Sequence, residues 1–266
     1  MRFAFPAALA VTILLGAVQA ASAQQATAQK SIAGAMPATS DPHASAASHE
    51  LYFGAVLLDQ NELRSTGRGN PVYALEGLAY YGTDYNRVWV NARGETNRDR
   101  GGLERAELQV LYSRLLGYFW DIQGGVRHDF RLSPRDGTPP RTYGVVSLQG
   151  LAPGLFEVQA QAFLGERGVP LFRAAASYDL LITNRLVLQP EFEMNFSAGW
   201  DREALIAPGL YRVEAGARLR YEITREFAPY IGYSYEANTG GASGLVRRLG
   251  ERSSQSTIVA GIRLFF

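Results

Sequence analysis

Apolar and polar side chains alternate without a break over residues 211–223. The odd-numbered positions are Tyr, Val, Ala, Ala, Leu, Tyr and Ile, and the even-numbered positions are Arg, Glu, Gly, Arg, Arg and Glu. Successive side chains of a strand point to opposite faces, so this period of two predicts a β-strand with one apolar and one charged face. The apolar face could pack on the core of a soluble sheet. In a membrane barrel it would instead face lipid, with the charged face in the lumen.

About twelve alternating segments follow one another from Glu50 to the C-terminus, each near the ~9–11 residues with which a tilted strand crosses a bilayer. The first and sixth alternate most weakly, which leaves their facing open. The segments lie at 50–64, 71–82, 85–97, 103–115, 118–131, 141–151, 154–166, 169–182, 185–198, 209–223, 226–238 and 254–266.

The connections between these segments alternate in length. Every second connection is a short turn, as at 82–84, 116–117, 183–184 and 224–225, whereas most of the others are longer and polar, such as SPRDGTPP and GGASGLVRRLGERSSQ. The short ERGVP is an exception. Outer-membrane barrels have short periplasmic turns and longer outer loops. The sequence therefore predicts an all-β fold: a closed antiparallel transmembrane β-barrel of about 12 strands, with the apolar face of 211–223 in lipid and its charged face in the lumen.

Two features of aromatic residues agree with a barrel in the outer membrane. Aromatic side chains lie beside the short turns, where they suit the boundary between hydrocarbon and water: Tyr80, Tyr81, Tyr85, Tyr118, Phe119, Trp120, Phe156, Tyr221 and Phe227. The chain also ends on Phe266, with Leu264 on the same face of the last segment. This ending is similar to the C-terminal assembly signal of outer-membrane proteins. The expected partners are therefore outer-membrane lipid and the outer-membrane insertion machinery.

The N-terminal region divides into two parts ahead of the barrel. Residues 1–23 carry Arg2, an apolar run over 3–18 and a small-x-small cleavage pattern at 21–23, so we expect a signal peptide that is cleaved on export. Residues 24–49 are rich in Ala, Ser, Thr and Gln without a sustained period, and we expect a disordered periplasmic leader. The predicted barrel covers 50–266.

Composition excludes several function classes. The chain contains no cysteine, which rules out disulfides and thiolate metal ligands, and its net charge of +1 argues against a nucleic-acid partner. Of its three histidines, His43 and His49 fall in the leader and His128 falls on the lipid-facing parity. A serine-type triad needs a histidine beside the nucleophile. We therefore expect no enzyme.

The charged parity of the segments predicts a polar lumen in which both signs of charge are mixed. Such side chains in a confined lumen most simply form a neutralising hydrogen-bonded network, although a narrow polar path or a cation site is the alternative. Glu191 and Glu193 are neighbours on one face, and the cation that they need could come from Arg218, from Arg220 or from a metal. The predicted network consists of Arg87, Arg93, Glu95, Asp121, Arg127, Asp179, Glu191, Glu193, Arg212, Glu214, Arg218, Arg220 and Glu222.

Several long segments of the chain resemble the copper resistance protein B (CopB) family of bacterial outer-membrane proteins. They include DYNRVWVNARGE at 84–95, WDIQGGVRHDF at 120–130, ASYDLLITNRLVLQPEFEMNF at 176–196 and GARLRYEITREFAPYIGYSY at 216–235. The resemblance covers 52–266. It implies a copper-linked role in copper homeostasis and resistance, either binding copper ions or passing them across the outer membrane, possible partners being a periplasmic multicopper oxidase or copper carrier.

Leaders in this family are often rich in Met and His, which are copper ligands. In this chain the leader offers only Met36, His43 and His49 as a metal site, without a Met-x-x-Met or His-x-Met cluster. The departure puts copper sequestration by the leader in doubt. It keeps open an alternative function, that of a structural or general small-solute barrel without metal specificity.

Overall fold

The computed structural model describes residues 51–67, 71–97, 102–130 and 140–266, with the backbone alone described at 97 and 102–105. The predicted signal peptide at 1–23 and the leader at 24–49, with Met36, His43 and His49, lie outside the described residues.

The described residues form thirteen strands and a helix, in the following order: β1 Phe53–Ser65, β2 Val72–Gly82, β3 Asn86–Asn97, β4 Gly102–Gly117, β5 Trp120–Phe130, β6 Arg141–Ala152, β7 Phe156–Gly165, β8 Pro170–Ser177, β9 Leu180–Leu181, β10 Leu186–Ser197, β11 Gly209–Tyr221, β12 Phe227–Asn238, α1 Gly240–Arg248 and β13 Ser254–Phe265.

All neighbouring strands pair antiparallel, and the sheet closes on itself. β13 pairs with β1, β11 pairs with β10, and β8 and β9 both pair with β10. β8 and β9 are therefore two pieces of one barrel strand, interrupted at Tyr178 and Asp179. The result is a closed antiparallel barrel of twelve strands, which confirms the predicted fold.

The outer surface of the barrel is apolar and its interior is largely polar. Val146 and Ile258 on the outside are 60% and 69% exposed, whereas Gln123 and Arg218 on the inside are 2% and 3% exposed. The charged face of 212–222 lies inside, as predicted. Tyr211 is an exception, because a bulge in the pairing with β10 turns it onto an inward apolar cluster that includes Trp89 and Leu111.

A bulge in β1 explains why its alternation was hard to interpret. Leu58 pairs with Gly77 and Gln60 pairs with Glu76, so Asp59 is an extra residue in β1. A bulge leaves one residue unpaired and shifts the alternation of faces. Asp59 and Gln60 consequently both point inward, where Asp59 contacts Arg263.

The predicted aromatic belt is wrong at Tyr80. Its ring centroid lies 4.9 Å from that of Trp89, the inward residue with which it pairs across β2 and β3. Proximity to a turn suggested an interfacial position, but the parity of β2 puts Tyr80 in the lumen. Tyr85, Tyr118 and Phe119 are exposed beside the short turns.

The long connection before β13 contains a helix that the sequence pattern did not predict. In α1, Ala242 and Val246 are one turn apart and both buried, and the backbone of Gly241 lies against Trp200 and Ala207. A helix of this length is only marginally stable in isolation, and its packing on Trp200 and Ala207 stabilises it here. Within the described ranges, no helix has the length and apolar character needed to span a membrane.

Candidate functional site in the barrel lumen

An ion-pair bridge crosses the middle of the lumen. Arg93 on β3 lies 2.9 Å from Glu193 on β10 and 2.7 Å from Glu76 on β2. Five strands separate β3 from β10 in one direction around the barrel, β4 to β8, and five in the other, β11, β12, β13, β1 and β2. The two strands therefore lie on opposite walls. The bridge of Arg93, Glu76 and Glu193 therefore spans the barrel, and we call it the central bridge.

A second group of charges lies around Glu107 on β4. Both carboxylate oxygens of Glu107 accept hydrogen bonds of 3.0 Å from Arg173 on β8, and Arg127 approaches to 2.8 Å. The guanidinium groups of Arg127 and Arg173 lie 4.7 and 5.3 Å from the ring centre of Phe163, a cation–π arrangement. Glu107 is thus held by charge-assisted bonds from two walls.

A third group surrounds Glu62 on β1, which is 1% exposed. Its carboxylate accepts bonds of 2.9 and 3.0 Å from Arg218, of 2.8 Å from Arg64 and of 2.9 Å from the Tyr230 hydroxyl. A buried carboxylate is stable only when it is paired and hydrogen-bonded. Four donor bonds meet that requirement here.

The neighbouring carboxylates of Glu191 and Glu193 are neutralised by arginine from different places. Glu191 pairs with Arg218 on the adjacent strand, whereas Glu193 pairs with Arg93 and, at 3.3 Å, with Arg173. Arg220 does not contribute to either. Of the cation sources left open by the sequence, the structure therefore uses Arg218 for Glu191. Glu193 is paired instead with Arg93 of the opposite wall and with Arg173 of the adjacent strand β8.

The remaining predicted lumen residues also lie in ion pairs. Each has a partner of opposite charge: Arg87 with Asp121 at 3.4 Å, Glu95 with Arg64 at 2.7 Å, Arg127 with Asp129 at 2.7 Å, Arg212 with Glu214 at 2.7 Å and with Glu236 at 3.0 Å, and Arg220 with Asp179 at 2.6 Å and with Glu222 at 3.3 Å.

The sequence pattern missed charged members on the first two strands and the last. Glu62 and Arg64 were hidden by the bulge at Asp59, which switches their parity. Glu76 stood in a largely apolar segment, and Arg263 in the assembly-signal strand. A polar residue in the lipid-crossing part of a strand is a usable signal, because it must face inward.

A loop covers the outer mouth of the barrel. Arg141, at the start of β6, pairs with Asp201, and Arg167 pairs with Asp201 at 3.3 Å and also with Glu203. Asp201 and Ile206 form an isolated bridge, and Ile206 packs on the inward apolar cluster. The polar loop predicted between β10 and β11 thus has a buried apolar tip that narrows the mouth.

The metal-ligand atoms that the described lumen offers are oxygens. Of the three methionines and three histidines, the structure describes Met194 and His128. Met194 pairs across strands with the outward Val213, and His128 lies on the outer face with its Nδ1 2.9 Å from the Thr142 hydroxyl. In the described part of the chain, no three His, Asp or Glu side chains are grouped as a metal site. For a copper ion as cargo, the described lumen therefore offers carboxylates.

A closed barrel with an apolar exterior and a charged lumen defines the class of outer-membrane β-barrels. The solved structure of the NanC porin has the same fold at a TM-score of 0.50 and 15% identity, covering 80% of this chain and 99% of that one.

Sequence comparison then gives the family. The model of copper resistance protein B precursor (CopB) matches residues 52–266, and this chain belongs to that family. It is 41% identical over 211 residues to copper resistance protein B of Escherichia coli, covering 79% of this chain and 69% of that protein. It is 35% identical over 222 residues to a homolog from Pseudomonas syringae pv. tomato, covering 82% and 73%. The protein is a copper-resistance barrel of the outer membrane.

Proposed function

We propose that the barrel passes copper ions across the outer membrane through its lumen, with the charged network acting as a gate. The observation that carries this proposal is the central bridge, because the ion pair of Arg93 and Glu193 joins opposite walls of the lumen and stands in the path that an ion would take. Family membership supports copper as the cargo.

The central bridge suits an exchange of cations. The side chains of Arg93 and Glu76 are 32% and 30% exposed, so an ion in the lumen reaches them more easily than the buried Glu62. A hydrated divalent cation that neutralises Glu76 and Glu193 replaces Arg93 as their counter-ion, which frees Arg93 to swing aside. Oxygen ligands favour Cu(II) over the softer Cu(I) in this role.

Copper tolerance of a deletion strain tests the proposal. Complementation with Glu191→Gln plus Glu193→Gln should give lower copper tolerance than the wild type at equal protein level. Glu226→Gln in an exposed periplasmic turn is the matched control. Wild-type tolerance with both variants would contradict a role of the lumen carboxylates in copper movement.

Conductance of purified barrels in planar bilayers tests the gate separately. Arg93→Ala removes the cation of the central bridge, while Glu193 keeps Arg173 and a 2.8 Å bond from Asn195. Glu76 loses its arginine, but its side chain is 30% exposed, so the cost of the unpaired charge is smaller than at a buried site. The variant should therefore fold and conduct more ions than the wild type. Unchanged conductance would show that the central bridge does not close the lumen.

The leader and the partners belong to the same proposal. Met36, His43 and His49 would bind copper on the periplasmic side, where a multicopper oxidase or a copper carrier would exchange it. Complementation without residues 24–49 tests this role. Full tolerance of the truncated protein would exclude a necessary site in the leader.

Mass spectrometry of the exported protein tests cleavage after Ala23.

The second candidate function is a structural or general small-solute barrel. The oxygen-only lumen of the described residues, without a grouped metal site, favours it. In either case we propose a non-enzymatic barrel. Conductance that is equal with and without copper, together with unchanged copper tolerance of the deletion strain, would select this second function.

A further inference from the structure

Four inward side chains form a row of uncharged polar groups across neighbouring strands. Ser113 on β4 pairs with Gln123 on β5, Gln123 with Ser147 on β6, and Ser147 with Gln161 on β7. Their exposed fractions are 0%, 2%, 1% and 4%. We call these four residues the neutral row.

Most polar side-chain atoms of the neutral row have no hydrogen-bond partner among the protein groups. Within the residues that the structure describes, this holds for the hydroxyls of Ser113 and Ser147, for both amide atoms of Gln123 and for the Gln161 carbonyl oxygen. A buried polar group without a partner destabilises the folded state. Buried polar groups in native proteins are nearly always paired, so this concentration requires an explanation.

Packing alone does not explain the polar character of the neutral row. The adjacent inward row on the same strands is apolar, with Leu111, Val145 and Phe163. These strands therefore accept apolar side chains on their inner face. Gln149 and Gln159, on the periplasmic side of the neutral row, pair with each other at 3.3 Å. Among the described residues, five of the nine buried side-chain atoms without a protein partner therefore belong to the neutral row.

We propose that the neutral row is the solute-contacting wall of the open lumen. In the closed barrel its groups are buried, and when the charged network opens they hydrogen-bond to the water shell of a passing hydrated cation. Hydroxyls and amides both donate and accept hydrogen bonds, and they carry no charge that would hold a cation tightly, as conduction requires. The proposal rests on the opening of the lumen in the proposed function, but not on copper.

Thiol labelling tests which wall becomes wet. The chain has no cysteine, so Ser147→Cys introduces a single thiol without background. Thr257→Cys is the matched control. Thr257 is a buried, inward hydroxyl residue on β13, its hydroxyl donates to the Ser234 carbonyl oxygen, and five strands separate β13 from β6 on either side. Both variants are prepared with and without Arg93→Ala and treated with a small, charged methanethiosulfonate reagent.

We expect Ser147→Cys to gain reactivity when Arg93→Ala is present, with loss of potassium chloride conductance on labelling, while Thr257→Cys stays unreactive. Equal reactivity of the two thiols, or an unreactive Ser147→Cys in a conducting barrel, would overturn the wall assignment alone. A barrel with Arg93→Ala that does not conduct would overturn the gate and this proposal together. Neither measurement uses copper tolerance. A failure of the wall assignment can therefore be distinguished from a failure of copper transport.

Gln123→Leu gives a second measurement that needs no labelling. It removes the unpaired amide at nearly constant shape, so the barrel should keep its thermal stability, and conductance in the Arg93→Ala background should fall. Gln159→Leu breaks a paired amide and is the control, for which stability should fall. Undiminished conductance with Gln123→Leu would contradict the proposal.

Discussion

Arg218 on β11 reaches Glu62 on β1, although β12 and β13 lie between them. Its cross-strand partner on β12 is Gly232, and a Cβ added at Gly232 would lie 3.0 Å from Cγ of Arg218. On β13, a Cβ at Gly261 would lie 2.8 Å from Cβ of Glu62. Glycines at these inward positions therefore leave the space in which the long side chain crosses two strands.

Arg218→Ala should destabilise the barrel. Removal of one partner of a buried ion pair costs roughly 3–5 kcal/mol, because the other charge remains uncompensated. Here Glu62 would keep Arg64 and Tyr230, and Glu191 would lose its arginine. Urea unfolding in detergent measures the loss. Arg225→Ala in an exposed turn is the control, and a free energy of unfolding equal to that of the control would argue against the network.

Gly232→Ala should act on the same pair without removing any charge. The added methyl group meets Cγ of Arg218 and the Ala217 carbonyl oxygen, so the Arg218 side chain has to shift from its path towards Glu62. We expect a loss of stability of about 1–3 kcal/mol, the usual range for overpacking. Gly117→Ala, whose added Cβ meets nothing within 4 Å, is the control. If both variants unfold at the same urea concentration, Gly232 is not needed for this crossing.

At the scale of the element, β13 closes the barrel against β1. Phe266 and Val56 exchange two backbone hydrogen bonds of 2.8 and 2.9 Å, and Leu264 pairs across strands with Leu58. Phe266 is 62% exposed in the lipid-facing alternation of the strand. The residues of the predicted assembly signal therefore lie on the outer face of the strand.

Phe266→Ala should lower the abundance of the protein in the outer membrane and increase its degradation in the periplasm, because the recognised terminal ring is lost. Phe265→Ala is a control of the same residue type on the opposite face of the strand. Immunoblots of outer-membrane fractions measure both. Unchanged abundance of Phe266→Ala, or equal losses for the two variants, would remove the assembly role from Phe266.

At the scale of the whole molecule, closure gives the backbone groups of every strand a neighbour on each side. Hydrocarbon offers no hydrogen bonds, so a spanning sheet must have no free edge. The lumen adds ion pairs between opposite walls, as in the central bridge. Backbone pairing and these cross-lumen contacts hold the barrel together without disulfides, because the chain has no cysteine.

This closure predicts a folded form that survives mild detergent. Unboiled protein should migrate differently from boiled protein on a detergent gel, and its circular dichroism spectrum should be dominated by strand. Arg93→Ala should keep the migration difference, because the backbone pairing is intact. A mainly helical spectrum, or identical migration before and after boiling, would be incompatible with the barrel.

The sequence by itself determined the barrel and most of its charged interior. Strand alternation and loop lengths are local properties, so twelve segments and the facing of most of them could be predicted. The same alternation placed Arg93 and Glu193 on inward faces, and the structure pairs these two side chains. Local patterns fail where one residue changes the parity. The bulge at Asp59 hid Glu62 and Arg64, and the parity of β2 overruled the turn-side position of Tyr80.

Only the tertiary structure decided which charges meet. Arg93 and Glu193 are one hundred residues apart, and Arg218 and Glu62 are 156 apart. Residues this far apart along the chain come into contact because closure of the twelve strands fixes the width of the barrel and the offset between neighbouring strands. Alternation specifies the face on which a side chain lies. The partner that it meets across the lumen depends on that closure, on the inward glycines beneath Arg218 and on the loop that Asp201 fastens at the mouth.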